Sequence, residues 1–284
     1  MEPLQSLLGD AGIRHFGICR FTDTLPLLEC RAKSRIPAGA QSVIVCLFPY
    51  YTGESPVANL SKYARVPDYH LVVGDLLKQA CLKLRDAFPS EQFAAFADNS
   101  PIREVHAARM AGLGVVGMNG LLIHERFGSF CFIGEIVSTL RLPYSAPSSG
   151  TCRQCGRCRA VCPGQAFDEN GYFLKERCLS FLTQKKGELT GEQRRKIQKS
   201  GVIWGCDRCQ DICVHNRDLP ITDIPAFLED NVFRIDADLL SRPIDRYAFA
   251  YRPKSVLYRN LGIMEDEMCD TTPMVPAPKQ ENKD

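Results

Sequence analysis

The sequence predicts an α+β chain: a mixed α/β domain first, then a compact cysteine-rich domain, then a short extension. Three observations predict it. Helix-like and strand-like patterns alternate over the first half. Eight of the 14 cysteines crowd between Cys152 and Cys213. A stretch rich in proline and serine, LPYSAPSSG, separates the two regions as a linker.

The elements follow in order. PLQSLLGDAG reads as a short helix and IRHFGIC as a strand. QSVIVCLF, continuously apolar and β-branched, reads as a buried strand. YHLVVGDLLKQACLKLRDAF sets leucine and valine at helical spacing, which predicts a long amphipathic helix. EQFAAFAD is strand-like. In NSPIREVHAARMAG, Ser100 is placed as an N-cap and Pro101 as the first helical residue, with the helix ending near Gly112 and Gly114. GLLIHERFGSFCFIGEIVSTLRL reads as a hairpin turning near residues 125–128. The predicted domains are therefore 1–147, 148–218 and 219–284, the last ending in PMVPAPKQENKD, a polar stretch expected to be disordered. Only the two cysteine groups resemble an internal repeat.

Composition excludes extremes. The chain has 284 residues, 45% hydrophobic and 24% charged, with a net charge of +2. That balance neither demands nor excludes a nucleic-acid partner. No apolar run approaches the roughly 20 residues of a membrane span, and the N-terminus lacks the pattern of a signal peptide. A cytoplasmic location is expected, and there fourteen cysteines imply metal or redox chemistry rather than disulfides. Cys19, Cys30, Cys46, Cys81, Cys131 and Cys269 are scattered singly and read as small buried hydrophobes.

The clustered eight are specific. Cys152-Arg-Gln-Cys155-Gly-Arg-Cys158-Arg-Ala-Val-Cys162-Pro163 is the C-x2-C-x2-C-x3-C-P run of two-cluster ferredoxins. A tight loop can aim three thiolates at one cubane, and the fourth cysteine, on the next turn, ligates the other cluster. Cys206, Cys209 and Cys213 form the second group, with Cys178 upstream. The crossing rule then assigns Cys152, Cys155, Cys158 and Cys213 to one [4Fe–4S] cluster, and Cys162, Cys178, Cys206 and Cys209 to the other. The alternative is a pair of zinc knuckles, but zinc sites pair two C-x2-C hairpins rather than using one three-cysteine run ending in C-P. Val214 stands where proline often follows the last cysteine. Two clusters in series imply single-electron transfer. The residues ahead of them exceed what a ferredoxin needs and so must bind something else.

The order of several stretches resembles the epoxyqueuosine reductase family, cobalamin-dependent iron–sulfur enzymes of queuosine tRNA modification. They are Tyr63-Ala-Arg-Val-Pro-Asp-Tyr-His70, Ala97-Asp98, Ala111-Gly-Leu-Gly114, Gly128-Ser-Phe-Cys-Phe-Ile-Gly-Glu135, Arg177-Cys-Leu-Ser-Phe-Leu-Thr183, Lys186-Gly187 and Gly205-Cys-Asp-Arg-Cys-Gln-Asp-Ile-Cys213. The resemblance implies that the first domain binds cobalamin, with the ferredoxin-like double-cluster domain packed on it. It also implies that Asp98 is a proton donor, for which a desolvated carboxyl with a raised pKa is expected. Asp98 otherwise reads as a cap for the helix that follows. Ser180, Asn119, Leu122 and Ile133 are carried over as cofactor contacts, although the leucine and isoleucine are equally explained as core. His70 reads as a helix-start residue rather than a cobalt ligand, because Asp68-Tyr-His70-Leu-Val-Val-Gly74 is one residue too long for the D-x-H-x-x-G box.

Three departures bear on the substrate. The C-terminal helical repeats of the family are expected to be missing or reduced within 219–284. Met118 stands where the family often has lysine, and Val105 where arginine commonly follows the glutamate matching Glu104. Losing two cations weakens the case for RNA. The run Gln193-Arg-Arg-Lys-Ile-Gln-Lys199 reads either as a phosphate contact or as a solvated helix face, the second being the commoner use of such a run. Three readings follow: a reductase of epoxyqueuosine in tRNA, a corrinoid reductase of a smaller substrate, and a two-cluster electron carrier without corrinoid. The first two require a low-potential electron donor, and none requires a membrane.

Overall fold

The computed structural model describes residues 2–266. It is α+β, as expected. A four-stranded antiparallel sheet forms the first layer, in the order β1 (His15–Arg20), β2 (Ser42–Pro49), β6 (Cys131–Ser138), β3 (Phe93–Ala97). Every residue of β2 is buried, because it lies between β1 and β6 with both faces covered, and its continuous apolar run is the consequence.

On one face, α1 (Glu2–Gly9) and α2 (Tyr69–Ala87) pack Leu4, Leu8, Val73, Leu77 and Leu84 against Ile18, Ile44, Phe48 and Ile136. Asp68 caps α2 by accepting a hydrogen bond from the His70 amide. On the other face, α3 (Glu104–Met110) lays Ala107, Ala108 and Ala111 over Val43, Val45, Phe96 and Val137. Alternation along β6 sends Phe132, Gly134 and Ile136 to the α2 side and Ile133, Glu135 and Val137 to the α3 side.

Two local expectations are corrected. The α3 helix starts at Glu104, three residues beyond Pro101. The Ser100 hydroxyl accepts from the Ile102 amide, closing a local turn that holds the chain out of the helix for that stretch. The predicted hairpin is not one. His124 and Gly128 do form a tight turn, but β5 (Leu122–Ile123) pairs with β4 (Val115–Val116), while β6 pairs with β2 and β3. Alternating hydrophobicity marks a strand without naming its partner.

The stretch 142–150 has no regular structure but is fastened to the first domain. The Ser145 amide donates to the Ile18 carbonyl, the Ser145 hydroxyl accepts from the Ile18 amide, and the Ser148 hydroxyl accepts from the Gly114 amide.

The cysteine-rich segment contributes three short helices, α4 (Arg157–Ala160), α5 (Leu179–Gln184) and α7 (Arg208–Asp211), and the longer α6 (Gly191–Ser200). After it, α8 (Ala237–Ser241) and α9 (Lys254–Glu265) enclose a further core. That core joins Leu60 and Ala64 of the first domain, Trp204 of the second, and Ile235, Phe249 and Leu257 of the extension. The three predicted segments therefore share buried surface. Cys269 and the end expected to be disordered lie outside the described residues. No helix among the described residues is long and apolar enough to cross a membrane.

Candidate active site

The cysteines gather in two sets. Cys152, Cys155, Cys158 and Cys213 line one cavity. Cys162, Cys178, Cys206 and Cys209 line one wall of a second, larger crevice of about 400 Å³. Left-handed backbone at Gln154 and Gly156 curls the first loop around that cavity. Two close approaches bring the second set together. The backbone at Gly164, just after Cys162-Pro163, lies against the Arg177 carbonyl, so Cys162 and Cys178 meet only because residue 164 has no Cβ. Gly205, at φ +74°, packs on Ser61 and aims Cys206 toward Cys178. The Ala166 amide donates to the Cys162 sulfur at 3.3 Å. Among the described residues no group of three histidine, cysteine or acidic side chains converges closely enough to hold a single metal ion. Two four-thiol sets, one built on a C-x2-C-x2-C-x3-C-P run, suit a cubane better than paired zinc hairpins.

The crevice has a second wall that the sequence did not mark. Tyr50, Tyr63, Tyr69 and Phe132 form it, with Tyr69 stacked on Phe132 at 4.2 Å between ring centres. Asn119 and Ser180 face the same space, and the Ser180 hydroxyl accepts from Gln184. Leu122 and Ile133 do not line it. Leu122 is buried beneath α3 and Ile133 packs on the same core cluster, so both are core residues by position, while Leu121 and Phe132 beside them reach the crevice. Aromatic walls with a few polar groups suit the face of a large ring system with a polar periphery next to the second cysteine set.

The cluster segment is tied to the first domain by buried charge. Lys62, with its side chain 4% exposed, bonds Asp211 at 2.7 Å and Glu54 at 3.2 Å. Burial lowers its proton affinity, but Asp211, Asp207 and Glu54 outweigh that and hold the ammonium above its ordinary value. Asp207 accepts from the Lys62 amide at 2.6 Å, and its carboxyl is pushed up to about 6 by burial against the opposing pull of Lys62. Ser129, Gln210 and Asn216 form a second hydrogen-bonded tie.

Asp98 sits at the end of β3, next to this crevice through Tyr69 and His70. Its environment differs from the expectation. The side chain is 58% exposed, and Oδ2 meets His70 Nε2 at 3.1 Å. The His70 contact holds the Asp98 carboxyl below its ordinary range, so it is an exposed, ionised partner and not a desolvated acid. His70 Nδ1 in turn meets Asp68 at 2.7 Å. With Asp68 first and Asp98 second, the imidazole is pushed up to about 9 and carries a proton at neutral pH. Asp98 and Asn99 both have left-handed backbone, at φ 53° and 36°, a strained pair of the kind found at functional loops. Glu104 stands nearby, its carboxyl pushed up to about 7 by burial and by Asp98.

The basic run in α6 is largely committed. Arg194 pairs with Asp266, Lys196 with Glu192, and Gln193 completes a capping box with Thr190. That leaves a solvated helix face.

Fold and site define a redox protein with two cubane-type cysteine sets and an aromatic crevice beside the second. Residues 151–216 match the family model of a 4Fe-4S double cluster binding domain. Residues 32–99 match that of epoxyqueuosine reductase QueG, DUF1730. The chain is similar to curated epoxyqueuosine reductases. It is 35% identical over 165 residues to that of Aliivibrio fischeri, covering 58% of this chain and 44% of the relative. It is 36% identical over 183 residues to that of Synechocystis sp., covering 63% of each. Against Bacillus anthracis the figures are 32% over 215 residues, 72% and 56%. The chain thus spans about half of the curated relatives it matches. Its fold is that of epoxyqueuosine reductase from Streptococcus thermophilus, with a TM-score of 0.75 at 24% identity over 93% of this chain and 80% of that one. A structure of the enzyme with an epoxyqueuosine-modified tRNA stem loop gives 0.78 at 20% identity, with the same coverage.

Proposed function

We propose that this protein is a cobalamin- and iron–sulfur-dependent reductase that converts epoxyqueuosine to queuosine in tRNA. The observation that carries the reading is a single crevice: one wall is the Cys162, Cys178, Cys206 and Cys209 set, the other is aromatic, and Tyr69 of that wall adjoins His70 and Asp98. The similarity to epoxyqueuosine reductases supports it, as does the solved relative bound to a modified tRNA stem loop.

The reaction takes up two electrons and two protons and releases the epoxide oxygen as water. Cobalamin held in the crevice would supply a strongly nucleophilic low-valent cobalt, and clusters held by the two cysteine sets would supply single electrons drawn from a low-potential donor. The chain's own residues do the rest. Tyr50, Tyr69 and Phe132 wall the crevice against water on the side of the first domain. Asn119 and Ser180 offer polar contacts to a bound cofactor. Asp98 presents its carboxylate to the substrate oxygen and relays to it the proton held by His70 on Oδ2. A Bacillus subtilis relative has been solved with its catalytic aspartate loop swung out of the active site. The left-handed pair Asp98-Asn99 suits such a movable loop here.

The test is anaerobic reconstitution with iron, sulfide and cobalamin, followed by incubation with epoxyqueuosine-containing tRNA and mass analysis of the released nucleosides. Queuosine should form, and Asp98→Asn should slow it by about 100-fold or more. Absence of product from a reconstituted, reduced protein would overturn the assignment. Val105, which lines the cleft beside Asp98, favours a second reading, reduction of a smaller substrate. Turnover of the free nucleoside but not of tRNA would select it.

A further inference from the structure

The departures at Val105 and Met118 remove two cations that the resemblance leads one to expect, yet the structure supplies two others. A cleft of about 490 Å³ opens beside Asp98, lined among others by Asn99, Arg103, Glu104, His106 and Arg109. Arg103 immediately precedes α3 and Arg109 lies in its last turn. At 1.5 Å per residue their six-residue separation spreads the two along roughly 9 Å of the helix. Both are exposed, and among the described residues neither side chain has an ion pair or a hydrogen bond. His106 is committed, donating from Nε2 to the Asp23 carbonyl at 3.0 Å.

The charge of the cleft is positive on balance. The His70 imidazolium is shared between Asp68 and Asp98, so that group keeps one net negative charge against the two guanidinium groups. Glu104, pushed up to about 7 by burial and by Asp98, is only partly ionised at neutral pH. The two guanidinium groups thus exceed the negative charge beside them. Two exposed arginines leading to a reactive carboxylate, without an ion pair or hydrogen bond among the described residues, are free to meet a ligand. Guanidinium forks bind phosphate oxygens in bidentate fashion and suit a phosphodiester chain passing along the helix.

We propose that Arg103 and Arg109 form a subsite for the phosphodiester backbone of an RNA whose reacting nucleoside reaches Asp98. The inference rests on the proposed action on tRNA. In it the cationic grip has moved from residue 105 to the flanking residues 103 and 109. Such contacts set the register of the strand at the site and read no base.

The test uses the reconstituted holoprotein and a fluorescent anticodon stem-loop RNA, with binding followed by anisotropy between about 50 and 200 mM salt. Wild type, Arg103→Gln/Arg109→Gln, Arg103→Lys/Arg109→Lys and a remote control, Arg195→Gln/Lys199→Gln, are compared, with tRNA turnover measured in parallel. The glutamine pair should bind at least about tenfold more weakly at low salt and lower the slope of log K against log salt by about 1.5, the loss of two phosphate contacts. The lysine pair should keep most of the slope, and the remote control all of it. If the glutamine pair binds with wild-type affinity and slope while turnover of tRNA persists, the subsite is wrong and the proposed function stands. If the wild type neither binds the stem-loop nor turns over tRNA, both fall.

Discussion

His70 holds both ring nitrogens against carboxylates, Asp68 at 2.7 Å and Asp98 at 3.1 Å, and only an imidazolium can donate to both. On the proposed function, the proton for ring opening would be stored on the histidine, with Asp98 as its outlet. The pH behaviour follows from the two shifts. His70, raised to about 9, contributes stability that is full below its ordinary value near 6.5 and is lost as pH rises through about 9. Asp98, lowered by the same contact, contributes stability above its ordinary value that is lost as pH falls. Turnover of the reconstituted enzyme should fall off above about pH 9. His70→Gln should remove that alkaline limb and return the Asp98 carboxyl toward its ordinary range, which NMR titration of a carboxyl-labelled protein would show. An unchanged alkaline limb in His70→Gln would place the proton elsewhere.

At the scale of elements, β6 carries the clearest conflict between local chemistry and packing. Glu135 is fully buried in the second strand from the β3 edge, facing α3, and among the described residues neither of its oxygens has a hydrogen-bond partner. Burial first, and Glu104 second, push its pKa well above the ordinary carboxylate value. The folded protein thus keeps Glu135 protonated, while the unfolded chain ionises it above about 4.5, so its contribution to stability declines as pH rises from there. Glu135→Gln should raise Tm at about pH 8, by at least about 2 °C, with a smaller gain near pH 5. Equal Tm values at both pH values would contradict the protonated state.

The same elements show what could be read from the chain alone. β1, β2, β3 and α2 were legible because each has a local period or a continuous apolar run. The start of α3 was not, since Ser100 spends its hydroxyl on a turn before the helix. The supposed hairpin failed because its two halves answer to different sheets. In the site, the eight cysteines were legible from spacing. Tyr50, Tyr63, Tyr69 and Phe132 were not, because an aromatic residue on a crevice wall has the same local signature as one in a core. Asp98 was located through resemblance, but its partner His70 lies 28 residues away and only the fold joins them.

Across the whole molecule, the cluster segment is held by a core it shares with both neighbours. Trp204 is fully buried between Leu60, Phe249 and Leu257, and its indole donates to the Tyr63 hydroxyl at 2.8 Å. Trp204 stands two residues before Cys206, so this anchor positions the second cysteine set as well as stabilising the fold. Trp204→Ala should cost about 3–5 kcal/mol in denaturant unfolding. It should also shed iron faster from the reconstituted protein than Glu135→Gln does. A variant that loses stability but keeps iron at the wild-type rate would separate the anchor from the site.

Metal content after anaerobic reconstitution and removal of free cofactor tests the central claim most directly. About eight irons, the content of two cubanes, and one cobalt per chain should be retained. Cys178→Ala should keep the cluster of Cys152, Cys155, Cys158 and Cys213 while losing iron from the other. Two zinc ions per chain without iron, or eight irons with no cobalt, would contradict it.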